Sequence, residues 1–182
     1  MIRTERLILR PWRDADREPL AAITTDPEVM RFFGTTRARE QSDRWLDRVQ
    51  AHFDTHGFGI WAVEAPGIAP LIGFVGLSAV PDIIPCAPAV EGVWTLGSAW
   101  WRRGYCTEAA RAAMTDGFDR LGLPEIVAFT ARVNTPSQGV MRAIGMTHDA
   151  HGDFDHPRLP QDSPLRPHVL YRRARPASGG LS

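Results

Sequence analysis

Lysine is absent from this chain: all 21 basic residues among its 182 are arginine. Schiff-base and lysine-nucleophile chemistry are thereby excluded, as is a phosphate loop of the Gly-Lys-Ser/Thr type, which needs its lysine. Cysteine is scarce. Cys86 and Cys106 are too few for a disulfide framework or a thiolate metal site, and a reducing cytoplasm is their natural setting. Net charge is lacking too, because 21 acidic side chains balance the 21 basic ones. Nothing in that balance draws the chain toward nucleic acid or anionic lipid, so any charged partner must be met locally. No apolar run approaches the ~20 residues that span a bilayer. The first residues, charged at Arg3, Glu5 and Arg6, do not read as a secretory signal. The expectation is a soluble cytoplasmic protein without a membrane or nucleic-acid partner.

What is present suffices for one core: 43% of the residues are apolar and 23% charged, a globular composition over a single-domain length. The domain is expected to span residues 1–176, with 177–182 a disordered tail. Periodicity gives a strand over Arg6–Trp12, then a helix from Ala15 to Thr24 with Asp14 as its N-cap, and a short helix opened by Asp26-Pro27. A helix over Arg37–His56 places Trp45, Leu46, Val49 and Phe53 on one side and is stopped by Gly57. Three strand-like runs follow, Phe58–Glu64, Leu71–Val80 and Ala89–Gly97. Next come a helix over Tyr105–Leu121, a strand over Ile126–Arg132, a short helix over Pro136–Ile144 and a strand or hairpin arm from Met146. A polar loop from Asp155 to Pro167 precedes a last strand, His168–Ala174. This order describes a mixed α/β sheet, antiparallel early and parallel around the Ile126 strand, with helices on its faces.

The segment from Trp94 to Ala109 carries the most chemistry, because a strand there runs through a tight loop straight into a helix. Such a loop turns several backbone N–H groups and the positive end of the helix dipole toward one point, which makes an anion site. Gly104 lets a ligand approach the backbone, and Arg102 and Arg103 stand where phosphate charge needs neutralising. Residue types alone also allow a plain β-to-α connection with a solvated arginine pair.

This stretch resembles the coenzyme A-binding motif of the GNAT superfamily of N-acetyltransferases, Gln/Arg-x-x-Gly-x-Gly/Ala, with Gly104 on the central glycine and Cys106 on the final small residue. It is closer still to the branch similar to ribosomal-protein N-terminal acetyltransferases, where the segment usually reads aromatic-Trp-Gly-x-Gly-Tyr-Ala-Thr-Glu-Ala. Here Trp100-Trp101-Arg102-Arg103-Gly104-Tyr105-Cys106-Thr107-Glu108-Ala109 departs from it at Arg102, for a frequent Gly, and at Cys106, for Ala. Thr4 to Trp12 looks like that branch's opening strand and Leu71 to Gly76 its third. Val133-Asn134-Thr135-Pro136-Ser137 looks like its Asn-x-x-Ser motif, and Ala143 to Met146 the end of the following helix. The likeness covers roughly residues 3 to 175.

The resemblance implies a GNAT-type mixed sheet of about seven strands, splayed between its fourth and fifth strands, with helices on both faces. It also implies acetyl-CoA as co-substrate; no metal is expected. Carried over residue by residue, the pantetheine arm meets the strand end Trp94, Thr95 and Leu96, and the pyrophosphate meets Arg102, Arg103, Gly104, Tyr105, Cys106 and Thr107. Asn134 and Ser137 lie by the arm and the sulfur. From the residues alone, Asn134 also reads as an Asx turn capping the helix begun at Pro136, and Ser137 as a first-turn polar residue.

Amide formation from a thioester needs a neutral amine and a proton or hydrogen bond for the departing thiolate. Glu91 resembles this branch's glutamate, although Gly92-Val93-Trp94 scrambles the usual Glu-x-Gly-aromatic pattern, and it is the expected base; Ser137 is the expected acid. An ordinary solvated carboxylate is the bland reading of Glu91. Cys106 at a helix start invites a ping-pong route through a low-pKa thiolate, but direct transfer is preferred, since its slot is assigned to phosphates. The stretch His148 to His156 gathers ligand-type side chains in a loop without metal-ligand spacing; its Asp149, Asp153 and Asp155 could instead attract an amine. The expected acceptor is a primary amine, either a protein N-terminus or a small molecule, taken by a monomer or homodimer. The competing class is a GNAT-fold module that binds acyl-CoA without transferring it.

Overall fold

The computed structural model describes residues 1–176, and the tail expected to be disordered, 177–182, lies outside the described residues. The strands are β1 (Ile2–Arg3), β2 (Ile8–Arg10), β3 (Ile60–Ala65), β4 (Ala69–Ala79), β5 (Val90–Leu96), β6 (Glu125–Ala131), β7 (Thr147–His148), β8 (Phe154–Asp155) and β9 (Pro167–Ala174). The helices are α1 (Arg17–Thr25), α2 (Pro27–Met30), α3 (Arg39–His56), α4 (Tyr105–Asp119) and α5 (Thr135–Ala143). They build one mixed sheet in the order β1-β2-β3-β4-β5-β6-β9-β7, with β8 on β9. Every pairing is antiparallel except β5 with β6. The described residues hold nine strands where about seven were expected, and three of them, β1, β7 and β8, are two-residue pieces too short to show an alternating pattern.

Apolar side chains leave the sheet on both faces. On one, Leu20, Ile23, Val29, Leu46 and Val49 of α1–α3 cover Ile60, Ala62, Leu71 and Phe74. On the other, Ala109, Ala113, Met114 and Phe118 of α4 and Met141 of α5 cover Val63, Ile72, Val75, Leu77 and Ile126. Central β4 serves both faces, which is why its sequence is a near-continuous apolar run rather than an alternation. α2 starts where the Asp-Pro pair placed it, with the Asp26 carboxylate accepting from the Glu28 N–H at 2.9 Å.

Asp14 is not the N-cap of the first helix. A 3-10 turn over Asp14–Asp16 precedes α1, and Asp16 turns inward because a buried arginine holds it. Arg10 makes a bidentate pair with Asp16 at 2.7 and 2.8 Å and also donates to Glu64 at 2.6 Å and to the Pro70 carbonyl at 2.6 Å. The Arg10 and Asp16 side chains are each 3% exposed, so their charges persist there only as a pair. Asp16 also accepts the Arg13 N–H at 2.8 Å, which fixes the entry to α1. Removing the carboxylate leaves Arg10 with Glu64 and carbonyls alone. Asp16→Ala is expected to lower unfolding free energy by about 3 kcal/mol, the low end for breaking a buried pair, as read from urea denaturation. A loss below about 1 kcal/mol, the exposed-pair range, would contradict this role.

Candidate active site

Parallel β5 and β6 pair at one position, Glu91 with Val127, and then diverge. Beyond it the β4-facing edge of β5 stays paired, as far as Leu96 opposite Gly73, while its other edge opens onto a cavity of about 650 Å3. The cavity is walled by Gly92–Leu96 of β5, Phe129 and Thr130 of β6, the loop and first turn of α4, and Asn134, Ser137 and Val140 around α5. Ten of the twelve residues singled out from sequence meet at this one place: Trp94, Thr95, Leu96, Arg102, Gly104, Tyr105, Cys106, Thr107, Asn134 and Ser137. Arg103 and Glu91 lie outside the lining. A further wall was not foreseen: Glu28, Val29, Arg31, Phe32 and Phe33, from α2 and the segment after it. The sequence signal was the Phe32-Phe33 pair in a polar connection, where aromatics without a helical or strand pattern have no core to join. Ser98 donates to the carboxylate of Asp26 at 2.7 Å, which ties this segment to the loop before α4.

That loop is held in a left-handed turn. Gly104 has φ 79° and Arg102 φ 60°, and Arg102 is the one residue other than glycine with positive φ among the described residues. Its departure from the family's frequent Gly is therefore a strained one, since L side chains adopt this conformation at a cost of about 1–2 kcal/mol. Gly104 is needed for its backbone rather than for ligand space: a Cβ there would point at the Arg6 guanidinium, 3.2 Å from Nη2. Arg6 braces the loop from behind, donating to the Arg103 carbonyl at 2.9 Å and pairing with Glu108 at 2.6 Å. With glycine as N-cap, no side chain caps α4. Its first-turn N–H groups face the cavity with the helix dipole behind them, an arrangement that holds a phosphate-like anion. Arg103 lies with its guanidinium 5.5 Å from the Trp100 ring, and Tyr105 is buried in the core with Arg6 above its ring at 4.8 Å.

Across the cavity, the indole of Trp94 donates to Ser137 Oγ at 3.0 Å, linking β5 to α5 over the splay. The Ser137 hydroxyl thus accepts inside the protein, and its own hydrogen has no acceptor among the described residues, which leaves it available to a ligand. Asn134 is engaged twice, accepting from the Ser137 N–H at 3.3 Å and donating to Thr130 Oγ1 at 2.9 Å. Its Asx-turn role is thus present, and it sets the position of Ser137. Thr95 is buried and donates to the Trp94 carbonyl at 2.8 Å, while the Leu96 carbonyl accepts from Trp101 Nε1 at 2.8 Å.

Glu91 sits where β5 and β6 still pair, opposite Ser78 of β4. Strand alternation puts it on the α1–α3 face with Val93 and Thr95. Glu91 is half-buried, and burial raises its pKa from the ordinary carboxylate value to about 7, within the range suited to a general base at neutral pH. Burial pushes the Cys106 thiol the other way from the helix-start expectation, up to about 12, so little thiolate exists at neutral pH.

The His148–His156 stretch is internally satisfied. Asp149 accepts from Arg172 at 2.7 Å, Asp153 from His148 at 2.8 Å and from the Leu170 N–H at 3.1 Å, and Asp155 pairs with Arg166 at 3.3 Å. These carboxylates hold β7, β8 and β9 together rather than standing ready for an amine. No group of three or more His, Cys, Asp or Glu is placed to hold a metal among the described residues. Trp45 and Phe53 pack on the α1–α3 core and Trp61 on the α4 core, outside the cavity lining.

A family model described as the acetyltransferase (GNAT) domain matches residues 6–147. The uncharacterized N-acetyltransferase YnaD of Bacillus subtilis is 36% identical over 148 residues, covering 81% of this chain and 83% of that protein. Among solved structures, an acetyltransferase from Agrobacterium tumefaciens superposes with a TM-score of 0.76 at 27% identity, covering 94% of this chain and 92% of that one. The ribosomal L7/L12 alpha-N-protein acetyltransferase RimL, in complex with coenzyme A, superposes with a TM-score of 0.75 at 14% identity, covering 94% and 95%. At that identity the likeness is one of fold.

The two left-handed residues of the loop should respond to substitution with opposite signs. Arg102→Gly is expected to raise unfolding free energy by about 0.5–1 kcal/mol, the relief of strain less the entropy glycine adds to the unfolded chain. Gly104→Ala is expected to lower it by about 1–2 kcal/mol. Urea denaturation of both variants checks the pair, and a destabilised Arg102→Gly would contradict the strained-turn account.

Proposed function

The chain belongs to the GNAT acetyltransferase family, which takes its acetyl group from acetyl-CoA, and we propose that it passes that group directly to a primary amine at the β5–β6 cleft. One observation carries the proposal: a single cavity runs from the uncapped start of α4 past the outward-facing Ser137 hydroxyl to the splayed strands, near a carboxyl with a pKa of about 7. When bound, acetyl-CoA supplies the activated acetyl group as a thioester. The amides of Tyr105–Thr107, with Arg102, neutralise its phosphates. The unpaired edge of β5 at Trp94–Leu96 offers strand-like backbone bonds to its extended arm. Asn134 and Trp94 hold Ser137 in place.

In the proposed reaction Glu91 removes the proton from the incoming ammonium. Because it lies just outside the lining, the proton moves through water. The neutral amine then bonds to the acetyl carbon, the carbon–sulfur bond breaks, and the nitrogen's second proton passes by way of the Ser137 hydroxyl to the departing thiolate, leaving the amide and the free thiol. A pKa of about 12 for Cys106 favours direct transfer over an acetyl-cysteine. A module that merely held acyl-CoA would have no use for a carboxyl poised near neutrality. Among the described residues the one carboxylate lining the cavity, Glu28, is paired with Arg31 at 2.5 Å, so a polycationic acceptor finds no free counter-charge there. A protein N-terminus or a small, non-polycationic amine fits better, and a free α-amine needs only a mild base, its pKa being about 8. We place the activity in the cytoplasm on the two unbridged cysteines.

The roles separate by pH. Wild-type turnover should climb through about pH 7 as Glu91 ionises. Glu91→Gln should slow it about 100-fold at neutral pH and recover as the pH passes the amine's own pKa, where solvent has already removed the proton. Ser137→Ala should slow turnover by a factor that stays constant with pH, since a lost hydrogen bond to sulfur is not restored by base. Thiol release at saturating acetyl-CoA over an amine panel measures both, and wild-type turnover by Glu91→Gln at pH 7 would refute the base assignment.

A further inference from the structure

The connection between α2 and α3 begins as cavity wall at Arg31–Phe33 and ends at an arginine that the fold leaves unsatisfied. Nη1 of Arg37 is buried with no hydrogen-bond partner, and it is the only buried side-chain polar atom in that condition among the described residues. No carboxylate pairs with it. The other arginines without a side-chain partner are exposed, where water serves them, but Arg37 is half-buried with its guanidinium over the Trp45 ring at 5.1 Å. Burial, and then the like charge of Arg48, pull its pKa below the ordinary value. A buried donor is rarely left unpaired in a native protein unless something outside the chain completes it.

Its place in the fold says which side of the reaction it serves. Trp45 packs 4.6 Å from Phe74, and Phe74 lies opposite Thr95 of β5. Trp45 and Val93 cover the same apolar cluster. Arg37 therefore stands on the sheet face that also carries Glu91, Val93 and Thr95, across the sheet from α4 and its phosphate-type site. Arg37, like Glu91, lies outside the cavity lining, and an amine that approaches the proposed base from this face meets it.

We infer that Arg37 binds a carboxylate on the acceptor, so that the substrate class is an amine that also carries a carboxyl group, such as an amino acid or short peptide. This rests on the acetyl-transfer reading above and narrows it. A guanidinium placed 5.1 Å from an indole centroid carries a planar fork of donors that matches a planar carboxylate, the geometry of bidentate pairing. In the cavity lining Glu28 and Arg31 cancel as a pair and Arg102 is assigned to phosphate, so among the described residues no free carboxylate there opposes an anionic group on the acceptor.

The test is a ratio of ratios in kcat/KM. L-leucine, L-phenylalanine and glycyl-L-phenylalanine are each compared with their C-terminal amides, in wild type, Arg37→Met and Arg37→Lys. Taking the acid-to-amide ratio within each enzyme and then comparing enzymes cancels the different amine pKa values of acids and amides. The expected result is an acid-to-amide ratio at least tenfold higher in wild type than in Arg37→Met, carried by KM, with Arg37→Lys between them. Equal ratios would overturn the inference. A purely structural role predicts a lower Tm for Arg37→Met, whereas relieving a buried unpaired charge predicts an equal or higher one. If no acid or amide turns over, calorimetry of N-acetyl-L-phenylalanine with the coenzyme A-loaded protein decides: tenfold weaker binding to Arg37→Met supports the inference, and binding indifferent to Arg37, or none, overturns it. Failure of the transfer reading shows separately, as acetyl-CoA binding without thiol release for any amine.

Discussion

Two parallel strands that pair at a single position and then part leave one edge of β5 with backbone N–H and C=O groups that the sheet does not satisfy. Buried backbone groups need partners; side chains serve the Trp94 and Leu96 carbonyls, and the groups that remain are left to water or an extended ligand. The structure maintains the gap from both sides. Pairing with β4 keeps β5 straight up to Leu96, antiparallel pairing with β9 along its length holds β6, and the Trp94–Ser137 hydrogen bond fixes the span between them. The left-handed loop at Arg102–Gly104 then aims the start of α4 at the far end of the same cavity.

The cavity joins two unlike environments. Its α4 end is rich in backbone donors and positive potential, suited to phosphate. Its β5–β6 end adjoins Glu91, whose carboxyl burial holds near neutrality. Coenzyme A chemistry calls for both: an anchor of high charge at a distance from the reacting bond, and a mild base beside it. Placing the anchor on one face of the sheet and the proposed acceptor groups on the other keeps the two substrates from competing for one set of contacts. In the proposed reaction the gap between the strands is the passage that lets them meet.

Much of this was legible in the chain. The helix and strand order was recoverable because α3 and α4 are long and periodic and β4 and β9 contain continuous apolar runs, and the phosphate-type loop showed in the strand-loop-helix signature around Gly104. What escaped was of two kinds. Two-residue strands such as β1 carry no period, and the inward turn of Asp16 depends on an arginine six residues earlier becoming buried, which no local pattern states. The same holds for the site. Glu91 and Cys106 were both visible as candidates, but their protonation depends on burial by distant elements, and it shifts the first toward a useful range and the second away from one. The α2 wall and the unsatisfied Arg37 are likewise tertiary facts, created when the α2–α3 connection folds over the sheet.

The central claim is that the splayed edge of β5 and the uncapped start of α4 together form the acetyl-CoA site. Amide hydrogen exchange with and without acetyl-CoA tests it most directly, because it reads the backbone groups that the claim concerns. The account predicts slowed exchange at Val93–Leu96 and at Tyr105–Thr107 together, with the β2–β3 pairing unchanged. Saturating acetyl-CoA that leaves both segments unprotected, or protects instead the surface groove between Ile2–Thr4 and the outer face of α4 around Arg111 and Thr115, would contradict it.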